Sequence, residues 1–204
     1  MEMPSLETER LLVRPFVDGD LPELLAVLEI ADTDGQAAAE RYVRHGSLNA
    51  KVQADLGQPP YGDRAVVLRA TGELAGVVGL VPSLGPFDQL RPVDQLPTPH
   101  RRQTVSPLPA LHRPEVGLYY HVRRDLRRRG YASEAARAMI DFAFGQMRLA
   151  RIVATTERDN IASQAVMRSL GMRIHENALS EPDWFQVVGI GVNSAGTIET
   201  SRRE

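Results

Sequence analysis

The feature that most constrains this chain is a change of hydrophobic period between Glu115 and Phe142. Val116, Leu118, Tyr120 and Val122 alternate with Glu115, Gly117, Tyr119 and His121, the period of a strand with two chemically distinct faces. Past Arg123-Arg124-Asp125-Leu126-Arg127-Arg128-Arg129-Gly130, the residues Ala135, Ala138, Met139 and Phe142 recur at helical spacing, which predicts a helix over about Tyr131–Met147. A strand that turns directly into a helix leaves the first helical amides unpaired at the positive end of the helix dipole, a ready site for phosphate or pyrophosphate. Gly130 and Ala132 let the main chain approach such an anion closely. Ser133 adds a hydroxyl, and Arg127 and Arg129 offer charge-assisted hydrogen bonds.

The rest of the chain alternates between the two periods. Glu9–Phe16 reads as a first strand, Asp20 as the cap of a helix carrying Leu21, Leu24, Leu25 and Leu28, and Gln36–Leu56 as a second helix. Ala65–Arg69 and Leu74–Val81 are expected to pair antiparallel through Ala70-Thr71-Gly72-Glu73. After the fourth strand and its helix come a fifth strand at Arg151–Thr156, a helix at Ala162–Leu170 stopped by Gly171, and last strands at Met172–His175 and Trp184–Val192. From Pro82 to Pro114 there are eight prolines and no periodicity, so an irregular insertion, an excursion or a lid, is expected there. A polar tail follows from about Ser194.

With 204 residues, the chain is long enough for one sizeable core and short for two domains, so a single domain over 1–204 is expected. It has no cysteine, which excludes disulfides, thiolate zinc sites and a cysteine nucleophile, and no metal site is expected. No run of about 18 apolar residues and no leader pattern is present, so no membrane partner and a cytoplasmic location are expected. The arginine run also reads as a solvated face or an RNA-backbone contact, but a net charge of −2 and the lack of interleaved aromatics argue against a nucleic-acid partner. Walker and dinucleotide glycine patterns are absent.

Arg127-Arg128-Arg129-Gly130-Tyr131-Ala132 resembles the Gln/Arg-x-x-Gly-x-Gly/Ala signature of the GCN5-related N-acetyltransferase (GNAT) superfamily. Gly130-Tyr131-Ala132-Ser133-Glu134-Ala135, Asn160-Ile161-Ala162-Ser163 with Gly171-Met172 beyond it, and the opening Leu6–Phe16 resemble its ribosomal-protein N-terminal acetyltransferase branch. The resemblance implies an α/β fold: a mixed, largely antiparallel sheet of six to seven strands with helices on both faces, splayed between the fourth and fifth strands. It implies acetyl-CoA as cofactor, its diphosphate on the amides around Arg127, Arg128, Arg129, Gly130, Tyr131, Ala132 and Ser133. Its pantetheine would run along the fourth strand near Val122 and bond Asn160, which also reads as a helix N-cap. The acceptor would be a primary amine, of a protein N-terminus or of a small molecule. A homodimer pairing or exchanging the last strand is a further expectation.

Direct attack by an amine needs a neutral nucleophile, a stabilised oxyanion and a protonated leaving thiol. At pH 7 deprotonation costs about 4.6 kcal/mol for a lysine amine but only about 1 kcal/mol for an α-amine. Glu115 and His121 share the candidate-base face of the fourth strand. In the related branch the glutamate stands thirteen residues before the signature glycine, where this chain has Gly117. Many relatives place a tyrosine acid where this chain has Met167; Ser163 is the alternative proton donor. The oxyanion would be met by an amide near Tyr120–Val122 if the strand bulges there. A CoA-binding sensor without turnover and an RNA- or ribosome-associated protein are the competing readings.

Overall fold

The computed structural model describes residues 3–87, 112–177 and 182–194. Its first half is an antiparallel ribbon: β1 (Leu6–Glu7), β2 (Leu11–Arg14), β3 (Gly62–Leu68), β4 (Leu74–Gly85) and β5 (Arg113–Val122) pair in chain order. β6 (Arg151–Thr156) lies parallel to β5, and β8 (Val187–Val192) inserts between β6 and the edge strand β7 (Arg173–Glu176). Among the described residues the sheet thus has eight strands, because the short Leu6–Glu7 segment folds back on β2. Both edges of β8 are paired within the chain, one with β6 and one with β7.

Strand alternation sorts the side chains onto two faces. On one, Leu12, Ala65, Val67, Leu74 and Val77 pack against Leu24 and Val27 of α1 (Leu21–Val27) and Ala39 and Val43 of α2 (Thr33–Asp55). On the other, Leu11, Val13, Val66, Val78, Leu118 and Val122 pack against Ala135, Met139 and Phe142 of α3 (Tyr131–Gly145). Met167 of α4 (Ile161–Ser169) and Ile152 of β6 extend that second core.

Three local expectations change. Asp20 precedes α1 but makes no side-chain cap; its carboxylate takes two hydrogen bonds from Arg14, each 2.7 Å, and one from the Val17 amide. A paired guanidinium outcompetes a single helix amide as a donor. The irregular insertion is narrower than Pro82–Pro114, since β4 runs to Gly85 and β5 begins at Arg113, with Pro82 opposite Val116. Proline is tolerated there because β3 has already ended at Gly62↔Leu80, leaving β4 with a neighbour on one side only. Residues 88–111 and the tail from 195 lie outside the described residues. Trp184 belongs to a 3₁₀ turn, Asp183–Phe185, so the last strand starts at Val187.

Candidate functional site: a splayed pair of strands facing an arginine-rich turn

β5 and β6 share a single ladder pair, Gly117↔Val153, and the ladder does not continue beyond it, which leaves a gap in the hydrogen bonding between the two strands. The Arg123 amide donates to Ala75 O on β4, at 2.8 Å, so by strand alternation the main-chain groups of Leu118, Tyr120 and Val122 point away from β4 and into the gap. The carbonyl of Val122 is met there by Arg127 Nε at 3.0 Å. The expected bulge at Tyr120–Val122 is absent, since the β4–β5 register runs unbroken from Gly76↔Val122 to Gly85↔Arg113. None is needed, because the missing strand neighbour already frees the amides.

The turn after β5 begins with a 3₁₀ segment, Arg124–Leu126, anchored by buried Leu126. Arg128 then adopts φ +62° and Gly130 φ +84°, two left-handed residues with Arg129 between them. Such alternation turns successive N–H groups toward one concavity, an anion-binding nest. Gly130 is the N-cap of α3 and no side chain caps the helix, so the amides of Tyr131, Ala132 and Ser133 add to that concavity at the positive end of the dipole.

The predicted residues divide by position. Arg128 and Arg129 are exposed beside the nest, whereas Arg127 turns back to the Val122 carbonyl and to Glu29, 3.4 Å away. Ser133 Oγ lies 2.9 Å from Ser169 Oγ, tying the start of α3 to the end of α4. Asn160 is the N-cap of α4, its Oδ1 accepting from the Ser163 amide at 3.1 Å. Ser163 Oγ lies 2.9 Å from the Tyr120 hydroxyl, which also reaches the Ser163 carbonyl at 3.1 Å. Burial raises the Tyr120 pKa, only partly offset by the Ser163 bond, so the phenol keeps its proton at neutral pH.

His121 and Glu115 lie apart on their shared face. His121 Nε2 is 3.0 Å from the carbonyl of Val27 at the end of α1. A carbonyl only accepts, so this bond, shorter than the 3.5 Å approach of Arg127 NH2 to the same nitrogen, places the proton on Nε2 and leaves Nδ1 with its lone pair. Burial, reinforced by the Arg127 charge, lowers the His121 pKa, and the Val27 bond and Glu29 oppose this. Glu115 sits on the closed side of Gly117↔Val153, its carboxylate held by Arg151 through Nε, at 2.9 Å, and a second, very close nitrogen. Met167 is wholly buried in the core.

Two residues escaped the reading of the sequence. Tyr120 alternates as an ordinary core-facing strand residue, and only tertiary structure brings its hydroxyl to Ser163. Arg10 lies far from the turn in sequence, yet donates to the Arg129 carbonyl at 3.0 Å and to Glu134 at 2.6 Å. Among the described residues no group of three or more His, Asp or Glu could hold a metal, and no helix is long and apolar enough to cross a membrane.

Residues 10–173 match the family model described as the acetyltransferase (GNAT) domain. The chain belongs to the GNAT family. GNAT enzymes transfer an acetyl group from acetyl-CoA, and the nest, the gap and the paired hydroxyls of this GNAT chain all lie within the matched stretch. A 62-residue stretch is 42% identical to the uncharacterized N-acetyltransferase YnaD of Bacillus subtilis (strain 168), covering 30% of this chain and 35% of the relative. The match thus spans about a third of that relative's length. An acetyltransferase structure from Agrobacterium tumefaciens superimposes with a TM-score of 0.60 at 23% identity, covering 94% of this chain and 95% of the other. RimL, a ribosomal alpha-N-protein acetyltransferase solved in complex with coenzyme A, gives 0.59 at 16% identity, covering 94% and 99%. At these identities the structures show that the GNAT fold is shared.

Proposed function

We propose that this protein is an acetyl-CoA-dependent N-acetyltransferase that moves the acetyl group to a primary amine, of a protein N-terminus or a small molecule, by direct attack in a ternary complex. The observation that carries this reading is the left-handed pair Arg128 and Gly130 opening into the uncapped start of α3, beside the gap between β5 and β6. A nest supported by exposed Arg128 and Arg129 fits a diphosphate, and the gap-facing main chain of β5 fits the amide-bearing arm of coenzyme A. Acetyl-CoA supplies the activated acyl group.

The chain's own groups then perform the proton traffic. His121 Nδ1 takes the proton from the amine, since Nε2–H is committed to Val27. Glu115, the other candidate on that face, is neutralised by Arg151 and holds the closed end of the strand pair. The gap-facing amides of Tyr120 and Val122 meet the carbonyl oxygen as it gains negative charge. Ser163 returns a proton to the leaving thiolate as the Tyr120 phenol turns its proton from the Ser163 carbonyl to Ser163 Oγ, and the phenol takes up a replacement proton from solvent. Asn160 holds α4 at its first turn and offers its Nδ2–H₂ to the pantetheine.

The RNA reading is weakened because three of the five arginines of the run are near carboxylates: Arg123 pairs with Asp125, and both Arg124 and Arg127 lie near Glu29. The test is thiol release from acetyl-CoA with peptide α-amines, lysine peptides, polyamines and amino sugars. Turnover with one class supports the proposal; CoA binding with silence across the panel identifies a sensor.

A further inference from the structure

We infer that Arg10, held by Glu134, is a positioning residue that presets the Arg129–Gly130 peptide for the cofactor diphosphate, an inference that rests on the acetyl-CoA reading above. Arg10 lies in the turn between β1 and β2, and its three guanidinium nitrogens are all placed. NH1 donates to the Arg129 carbonyl at 3.0 Å, Nε donates to Glu134 Oε2 at 2.6 Å, and NH2 lies 2.6 Å from the same oxygen. The guanidinium carbon sits 4.7 Å from the centre of the Tyr131 ring, a cation–π contact that fixes the plane of the fork.

Glu134 is held just as firmly. It accepts from Thr8 Oγ1 at 2.5 Å and from the Arg10 amide at 3.0 Å. Burial opposes its ionisation, but these bonds and the Arg10 charge keep its carboxyl below the usual range, so it is ionised at neutral pH.

The consequence follows from the geometry of a trans peptide, whose carbonyl and N–H point in opposite directions. With the Arg129 carbonyl drawn to Arg10, the Gly130 N–H is sent the other way, and Gly130 takes its left-handed φ. A flipped peptide would present an oxygen to the anion in place of a donor. Arg10 also neutralises a carboxylate in the first turn of the helix that must receive the diphosphate. Side-chain exposures of 44% for Arg10 and 18% for Glu134 mark a pair of the kind that adds little to global stability. Its effect falls on the local main chain.

The experiment compares Arg10→Ala, Arg10→Lys and Arg10→Ala/Glu134→Gln with wild type, using CoA affinity and turnover of acetyl-CoA against S-acetylpantetheine, which lacks the diphosphate. Arg10→Ala should weaken CoA about tenfold or more and raise the acetyl-CoA KM equally, with kcat at saturation and turnover of S-acetylpantetheine nearly unchanged. Glu134→Gln in that background should recover part of the loss, because an unpaired negative charge is removed. Arg10→Lys, one donor point in place of a fork, should fall between. Unchanged CoA affinity in Arg10→Ala, or equal loss with both thioesters, overturns the inference while wild-type turnover of acetyl-CoA upholds the proposed function. Wild-type protein that does not bind CoA overturns both.

Discussion

The hydroxyl of Tyr120 on β5 lies 2.9 Å from Ser163 Oγ on α4, joining the strand on one side of the gap to the helix that follows the strand on the other. This pair carries two hydroxyl protons, which the thioether of Met167, buried in the core, lacks. Ser163→Ala should lower kcat about 10²-fold and Tyr120→Phe about tenfold, with small changes in acetyl-CoA KM. Steady-state kinetics on both variants check this; an unchanged kcat in Ser163→Ala removes the serine from the proton path.

His121 makes its own signature in pH. Its pKa is lowered by burial, so the imidazole is neutral through pH 7 and becomes protonated only as pH falls below the ordinary value of 6.5. The limb of kcat/KM that reports His121 should therefore lie on the acid side of 6.5, separate from the amine's own limb near about pH 8. His121→Asn should abolish the acid limb and lower the plateau. An acid limb that survives the substitution assigns it to another group.

Glu115 and Arg151 test the other candidate base. The Glu115 side chain is 9% exposed and that of Arg151 32%, so Glu115→Ala should leave a half-buried arginine unpaired and cost about 3 kcal/mol, the low end for a broken buried pair. The folded fraction should keep its kcat. A loss of about 10²-fold in turnover at full folding, as removal of a general base gives, would return the role to Glu115.

Most of the architecture was legible because it rests on local chemistry. Arg151–Thr156 has the strand bounds its β-branched run suggests, and the left-handed Gly130 opens α3 where the arginine turn meets the 3.6-residue period. What the sequence withheld were contacts between distant segments. The Glu115–Arg151 pair, the Val27 carbonyl on His121 and the Tyr120–Ser163 pair each join residues on different elements. Pro82 misled as a strand breaker because the end of β3, which makes it tolerable, depends on pairing far away.

Asp63 carries a pH dependence of stability. Tyr42 donates to its Oδ2 at 2.5 Å while Oδ1 is buried without a partner, and burial raises its pKa despite the Tyr42 bond. A carboxyl whose folded pKa exceeds its unfolded one favours folding at low pH and loses that contribution as pH rises through the folded pKa. Asp63→Asn should therefore raise Tm more at pH 8 than at pH 4, seen in thermal melts across pH. A stabilisation that is larger at pH 4 contradicts the assignment.

The most direct measurement is a crystal structure grown with acetyl-CoA. Diphosphate oxygens are expected within about 3 Å of the main-chain amides between Arg128 and Ser133, with the pantetheine lying along β5 in the gap beside β6. A thioester bound elsewhere, with that turn remote from the ligand, would contradict it.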